Sequence, residues 1–215
     1  MGGNGVQVRF RAGDIPRAEA ARALALDLNR AGYETFFAGG CVRDALLGRP
    51  VQDIDLATAA TPDQVEALFP GETVAVGKAF GVVVARRNGF SFDVATFRTD
   101  GPYRDGRHPE QIAFTNAEGD ALRRDFTVNG LFCDPATGDV TDYVGGLTDL
   151  QAQVIRAIGD PAARFREDRL RMLRAVRFAA VLEFTVEPRT REALEVWAPR
   201  ITEVSPERVA HELNR

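Results

Sequence analysis

Gly39-Gly40-Cys41-Val42-Arg43-Asp44, followed nine positions later by Asp53-Ile54-Asp55, is the stretch on which the reading of this chain turns. Thr35-Phe36-Phe37-Ala38 ahead of it reads as a buried strand, and residues 41–47 as a short helix stopped by Gly48. The glycine pair therefore occupies a strand-to-helix turn. Glycine there lets a phosphate approach the backbone. The free N–H groups and positive dipole of the helix start favour an anion, and Arg43, in the first turn, adds a charge-assisted contact. Gly39, Gly40 and Arg43 are the candidate phosphate contacts.

Residues 53–57 read as a strand, on which Asp53 and Asp55 project from one face while Ile54 and Leu56 turn into the core. Two carboxylates on one face repel unless a cation lies between them. Their hard oxygens suit Mg2+, which keeps waters and takes further ligands from substrate phosphates. Two-metal phosphoryl chemistry needs such a pair. Alone, Asp-x-Asp also describes a solvated turn; with the glycine turn at this spacing it points to nucleotidyl transfer.

A third acid follows. Val82-Val83-Val84-Ala85-Arg86 and Phe90-Ser91-Phe92-Asp93-Val94-Ala95-Thr96-Phe97 flank Asn88-Gly89, a two-residue hairpin signal. Phe90, Phe92 and Val94 share one face, leaving Asp93 on the other with Ser91 and Ala95. An acid in mid-strand needs a metal or an arginine for a partner if buried, so Asp93 is either a metal-site carboxylate or half of a structural ion pair.

With 215 residues, 45% hydrophobic and 27% charged, the chain can bury a real core. Cys41 and Cys133 provide no disulfide framework, which fits a cytoplasmic location, and Cys41 reads as a packed residue with no nearby histidine to activate it. Two histidines form no zinc pattern, and no signal peptide or membrane span is legible. Residues 1–13 read as a mobile lead-in. The net charge of −4 does not announce an RNA-binding protein, yet seven arginines fall between Arg156 and Arg177 against a single lysine, Lys78.

Those arginines lie on a predicted helix spanning 162–183, with Asp160 as N-cap and Pro161 at the first position. Phe165, Leu173, Val176 and Ala180 would form its apolar stripe. Asp168, Arg171, Arg174 and Arg177, three apart, would wind along the opposite side, facing a pocket or solvent. Elsewhere Thr61-Pro62-Asp63-Gln64 is a capping box opening a helix to Phe69. Residues 98–109 read as a flexible loop beside the site, and Arg123-Arg124-Asp125 as part of a short helix before a strand at 130–133. A short strand and turn at 139–146 follows, with helices at 189–197 and from Ser205.

Gly-Gly-x-Val-Arg-Asp, Asp53-x-Asp55, Phe92-Asp93-Val94-Ala95-Thr96-Phe97-Arg98, Arg123-Arg124-Asp125-Phe126-Thr127-Val128-Asn129 and Glu167-Asp168-Arg169-Leu170-Arg171 occur in one order. As a set, over about residues 33 to 213, they resemble class II tRNA nucleotidyltransferases (CCA-adding enzymes) and bacterial poly(A) polymerases. The resemblance implies an α+β head of the polymerase-beta nucleotidyltransferase type with a mixed sheet, followed by an α-helical neck. It casts Asp53 and Asp55 as metal ligands for two Mg2+ ions, and Gly40, Arg43 and Arg124 as nucleotide contacts. Asp168, Arg171, Arg174 and Arg177 would line the nucleotide pocket. Cytosine and adenine share an exocyclic amine beside a ring acceptor, whereas uracil and guanine show a carbonyl beside an N–H. An Asp acceptor next to an Arg donor matches only the first pair, so Asp168 and Arg171 suit reading C and A.

The expectation is thus an Mg2+-dependent enzyme adding C and A from CTP and ATP to a tRNA 3' end, with Asp93 helping to activate the 3' hydroxyl. Poly(A) synthesis or partial CC or A addition stands as the alternative within the class. A silent nucleotide- or RNA-binding module or a metal-dependent phosphohydrolase stands outside it. The expected division is a lead-in (1–13), a head (14–157) and a neck (158–215). The last helix is expected to run on to Arg215, short of the helical body and tail domains that the resemblance implies, either as a truncated or as a minimal form.

Overall fold

The structure, a computed structural model, describes residues 5–101, 103 and 111–214. After α1 (Ile15–Arg30) the chain runs through β1 (Thr35–Ala38), α2 (Gly40–Leu46), β2 (Asp55–Thr58), α3 (Pro62–Leu68), β3 (Thr73–Gly77), β4 (Val82–Arg87) and β5 (Phe90–Thr96). A small hairpin of β6 (Arg98–Asp100) and β7 (Ile112–Phe114) leads to α4 (Ala117–Arg123), β8 (Leu131–Cys133), β9 (Val140–Asp142) and α5 (Gly146–Ala152). Then come β10 (Val154–Ile155), α6 (Pro161–Glu167), α7 (Leu170–Leu182), β11 (Thr185–Val186), α8 (Pro188–Trp197) and α9 (Pro206–Leu213). The fold is α+β, with a helical part after a mixed sheet.

Seven strands form that sheet in the order β3-β4-β5-β2-β1-β8-β9. Only β2 and β5 run parallel; the other neighbours are antiparallel. The β4–β5 turn places Asn88 at φ 53° and Gly89 at φ 79°, the left-handed pair that a tight hairpin demands. Thr61 and Gln64 close the expected capping box, the Thr61 N–H donating to Gln64 Oε1 at 2.8 Å.

Strand alternation divides the sheet's two faces. Phe37, Leu56, Phe92 and Val94 bury against Leu24 and Leu28 of α1. On the other face Ala38, Ala57, Phe97 and Phe132 form a smaller core with Ala117 and Ala121 of α4. The larger core continues through Phe126 and Val128 to Ala175, Phe178 and Leu182 of α7, so the sheet and the helical part share one apolar interior.

Several sequence expectations are corrected. Of the lead-in 1–13, the described residues are docked: Gln7 bridges Asp139, the Val8 N–H donates to the Gly138 carbonyl, and the Phe10 ring lies edge-on to Phe37 at 5.9 Å. Strand pairing starts at Asp55, leaving Asp53 in the preceding segment. The supposed loop at 98–109 begins as β6, paired with β7; Pro102 and residues 104–109 lie outside the described residues. α4 ends at Arg123, with Arg124 as its C-cap and Asp125 beyond it. The last helix closes at Leu213, with Asn214 as its C-cap.

The predicted helix at 162–183 is in fact two, α6 and α7, broken at Asp168, whose φ of −138° and ψ of 109° are extended. No Gly or Pro marks the break. Asp168 supplies the reason itself: its Oδ1 accepts the Leu170 N–H at 3.0 Å, capping the next helix, and its carboxylate holds Arg208 of α9 at 3.1 Å. The break also rotates the stripe. Met172, Ala175, Phe178 and Leu182 are buried, while Val176 is 52% exposed.

Candidate active site

Gly39 caps α2 at φ 78°, a conformation natural to glycine, and its carbonyl accepts the Val42 and Arg43 N–H groups. A Cβ added there would stand 2.9 Å from Arg124 Nη1, so that guanidinium, from far along the chain, lies against the glycine. Gly40 opens the helix with Arg43 Nη2 3.6 Å from its own would-be Cβ. The expected turn is present, and Arg43 and Arg124 both converge on it.

Arg43, in the first turn, is buried. Its Nε and Nη2 donate to the Asp44 carboxylate at 2.9 Å each, its Nη1 donates to Asn129 Oδ1, and its guanidinium lies 5.0 Å from the Phe178 ring centre. Arg124 stacks on Phe132 at 5.0 Å and donates to Asp120 at 2.9 and 3.1 Å. Asp120, fully buried in α4, also accepts Arg123 Nε at 2.8 Å and the Arg98 N–H at 3.3 Å. Burial alone would raise its carboxyl, but Arg124 and Arg123 outweigh that and hold it below its ordinary value. The sequence reading passed over Asp120, although Asp120, Arg123 and Arg124 stand at the i, i+3 and i+4 spacing that brings helical side chains together.

Asp55 and Asp93 lie just before the paired residues Leu56↔Val94 and Ala57↔Ala95 of the parallel β2 and β5, so they are neighbours on the face that carries the alanines. Both are exposed. Asp93 therefore has no burial cost to offset, and among the described residues its side chain makes no hydrogen bond or ion pair. Cys41 touches Asp55: burial first, then the Asp55 carboxylate, push its thiol up to about 12, while a hydrogen bond from the Asp55 backbone opposes this. That thiol is inert, and the contact joins the glycine turn to the acids.

Asp53 stands apart. It is 84% exposed and pairs with Arg17 of α1 at 3.2 Å, and Arg17 also donates to the Gln52 carbonyl. Among the described residues no group of three or more His, Cys, Asp or Glu side chains is placed to hold a metal ion. The available donors, the Asp53, Asp55 and Asp93 oxygens, with no usable thiolate or imidazole beside them among the described residues, still fit a hard divalent cation that draws its other ligands from water and phosphate.

Of the helical arginines expected to face a pocket or solvent, Arg174 and Arg177 flank Phe178. Arg174 lies 5.1 Å and Arg177 4.3 Å from its ring centre. Arg174 also pairs with buried Asp125 at 2.6 Å and Arg177 with buried Glu212 of α9 at 2.6 Å. Burial would raise Asp125, yet Arg174, the Asn129 amide and the Phe126 N–H stabilise its charged form and bring it down to about 2. Arg171 is buried as well, donating to Glu167 at 2.5 Å and to the Arg123 carbonyl at 3.2 Å, which ties α7 to the residue before Arg124. Asp168 faces Arg208, not Arg171. Hollows of about 350 Å³ beside Phe10 and Pro135 and about 510 Å³ beside Arg87 are lined by none of these groups.

A mixed sheet presents a glycine turn and acids at one end, beside an arginine-bearing helical layer. The chain belongs to the poly A polymerase head domain family, whose model matches residues 35–156. A second model, described as a probable RNA and SrmB-binding site of polymerase A, matches residues 183–215. A CCA-adding enzyme of Geobacillus thermodenitrificans is 45% identical over 201 residues, which make up 93% of this chain and 49% of that protein. The crystal structure of the Bacillus stearothermophilus CCA-adding enzyme in complex with CTP superposes with a TM-score of 0.83 at 40% identity, over 92% of this chain and 48% of that one. A tRNA nucleotidyltransferase complexed with a primer tRNA and an incoming ATP analog gives 0.72 at 28% identity, over 89% and 55%. The chain spans about half the length of the curated relatives it matches. No helix among the described residues is long and apolar enough to cross a membrane.

Proposed function

We propose that this chain is the catalytic portion of an RNA nucleotidyltransferase that adds C and A, from CTP and ATP, to the 3' end of tRNA. The observation that carries the reading is the convergence of Arg124 on the Gly39 turn, with Asp55 against Cys41 of the same turn. Residues 14–157 would form the head and 158–215 the neck. A cytoplasmic location fits the buried, unpaired Cys41 and Cys133.

In this reading Gly39 and Gly40 leave room for the triphosphate, and Arg43 and Arg124 offset its charge. The RNA 3' oxygen forms a bond to the α-phosphorus as pyrophosphate leaves. Asp53 and Asp55 would hold Mg2+, two ions being expected, with Asp93 beside Asp55 helping to draw the proton from the 3' hydroxyl. Bound Mg2+ supplies activation of that hydroxyl and neutralisation of the phosphates. Arg174 and Arg177 complete the pocket wall, while Asp168 and Arg171 read the base edge after exchanging Arg208 and Glu167 for the base.

Supplying tRNA that lacks its CCA with each labelled nucleotide in turn, then sizing the products, tests the proposal. Addition of two C and one A supports it. Long tails from ATP alone would favour the poly(A) polymerase alternative, to which the name of the matching head family lends support, and CC or A alone a partial enzyme. No extension with any nucleotide would leave a silent binding module or a phosphohydrolase.

Removing the acceptor in Asp168→Ala should lower CTP and ATP incorporation and narrow their lead over UTP and GTP by roughly tenfold or more, since an unmatched buried polar group costs about 1 to 3 kcal/mol. Arg208→Ala breaks the same ion pair without removing the acceptor and should keep the preference. Nucleotide competition assays on both variants separate base reading from loss of the helix cap; an unchanged preference in Asp168→Ala would show that the base is read elsewhere.

Binding of tRNA by these 215 residues should be weak and strongly salt-dependent. The net charge is −4, and Arg156, Arg164, Arg169, Arg171, Arg174 and Arg177 are each already paired with a carboxylate. Gel-shift titrations at two salt concentrations measure this, and tight, salt-insensitive binding would contradict it.

A further inference from the structure

Phe178 has no polar atom, yet the guanidiniums of Arg43, Arg174 and Arg177 lie 5.0, 5.1 and 4.3 Å from its ring centre. Arg43 comes from the glycine-turn helix; the other two come from α7. The ring itself is buried and meets Phe126 edge-on at 6.0 Å and 80°. Three like charges around one ring repel, and each is offset by its own carboxylate: Asp44 for Arg43, Asp125 for Arg174 and Glu212 for Arg177.

We infer that Phe178 is a positioning residue, whose ring face holds the guanidiniums of Arg43, Arg174 and Arg177 in one fan and so fixes the phosphate contact of the head against the pocket wall of the neck. The inference rests on the nucleotide-binding reading of those arginines. Two physical effects support it. A desolvated ring attracts guanidinium through its quadrupole, an attraction that persists while the arginine exchanges a carboxylate for a phosphate. Long arginine side chains held in place before binding also lose less freedom when the nucleotide arrives. An aliphatic side chain of similar size would fill the core between Phe126 and α7 but would leave the three cations with only their carboxylates to orient them.

The test separates the ring's electronics from its volume. A trifluorinated phenylalanine at position 178 keeps the shape and withdraws density from the ring face; Phe178→Leu removes the ring, and Phe178→Tyr restores it. Equilibrium CTP binding, thermal midpoint and CTP-over-UTP preference are measured for each. We expect the fluorinated protein to melt near the parent yet bind CTP several-fold more weakly. Phe178→Leu should bind it about tenfold more weakly with reduced preference, and Phe178→Tyr should stay near the parent. If the fluorinated protein binds CTP as the parent does, Phe178 is packing alone and the inference is wrong, whether or not Phe178→Leu folds. If the parent itself binds no CTP, the nucleotide reading fails and this inference with it.

Discussion

Asp55→Asn should reduce nucleotide addition by about a thousandfold or more, the scale on which losing one preorganised charge at a phosphoryl centre is felt. Its thermal midpoint should stay level or rise slightly, because Asp55 is exposed beside Asp93 and neutralising it relieves like-charge repulsion. Asp53→Asn should show a comparable activity loss with a small decrease in stability, since it weakens the exposed pair with Arg17. Single-turnover extension of a tRNA lacking its CCA, alongside thermal melts, measures both. Full activity in either variant would remove the mechanism proposed here.

Asp125→Ala should be the most damaging single change to stability. It strands the Arg174 guanidinium in a half-buried site with Glu212 3.9 Å away as the remaining carboxylate, and it removes the acceptor for the Asn129 amide and the Phe126 N–H. Breaking a buried pair in this way costs about 3 to 5 kcal/mol, or on the order of 10 °C in Tm for a chain of this size. The pH dependence has a definite sign. Asp125 is lowered from its ordinary 3.8 to about 2, so its contribution is fully present above its unfolded pKa and is lost as pH falls through about 2. Urea melts of the parent and of Asp125→Asn between pH 5 and pH 2 should therefore converge at the acid end. A difference that stays constant across that range would show that the carboxylate charge is not what stabilises the site.

Local features were open to sequence reading because their causes are local. The Gly39-Gly40 turn, the Asn88-Gly89 hairpin and the Thr61 capping box each follow from backbone preference or from partners at most three residues apart. The alternation that put Phe92 and Val94 inside and Asp93 outside follows from the period of a strand. The same alternation failed for Asp53, because pairing, and not pattern, decides where a strand begins, and β2 begins at Asp55. The break at Asp168 was invisible because helix propensity runs unbroken across 162–183, while an Asp168 side-chain cap and a partner forty residues away in Arg208 outweighed it.

By itself, then, the sequence determined the chemistry on offer: a strand-to-helix glycine turn, carboxylates on strands, and a run of arginines in a helical region, in an order specific enough to name the family. Only the tertiary structure decided which of those charges are free and which are committed. Arg43 meets Asn129 across 86 residues, Arg174 meets Asp125 across 49 and Arg177 meets Glu212 across 35, so no local period encodes these choices. The physical reason is desolvation. Folding α7 into the common core around Phe178 takes the arginines out of water, and a guanidinium in that setting must find a carboxylate or an aromatic face, wherever in the chain that partner lies.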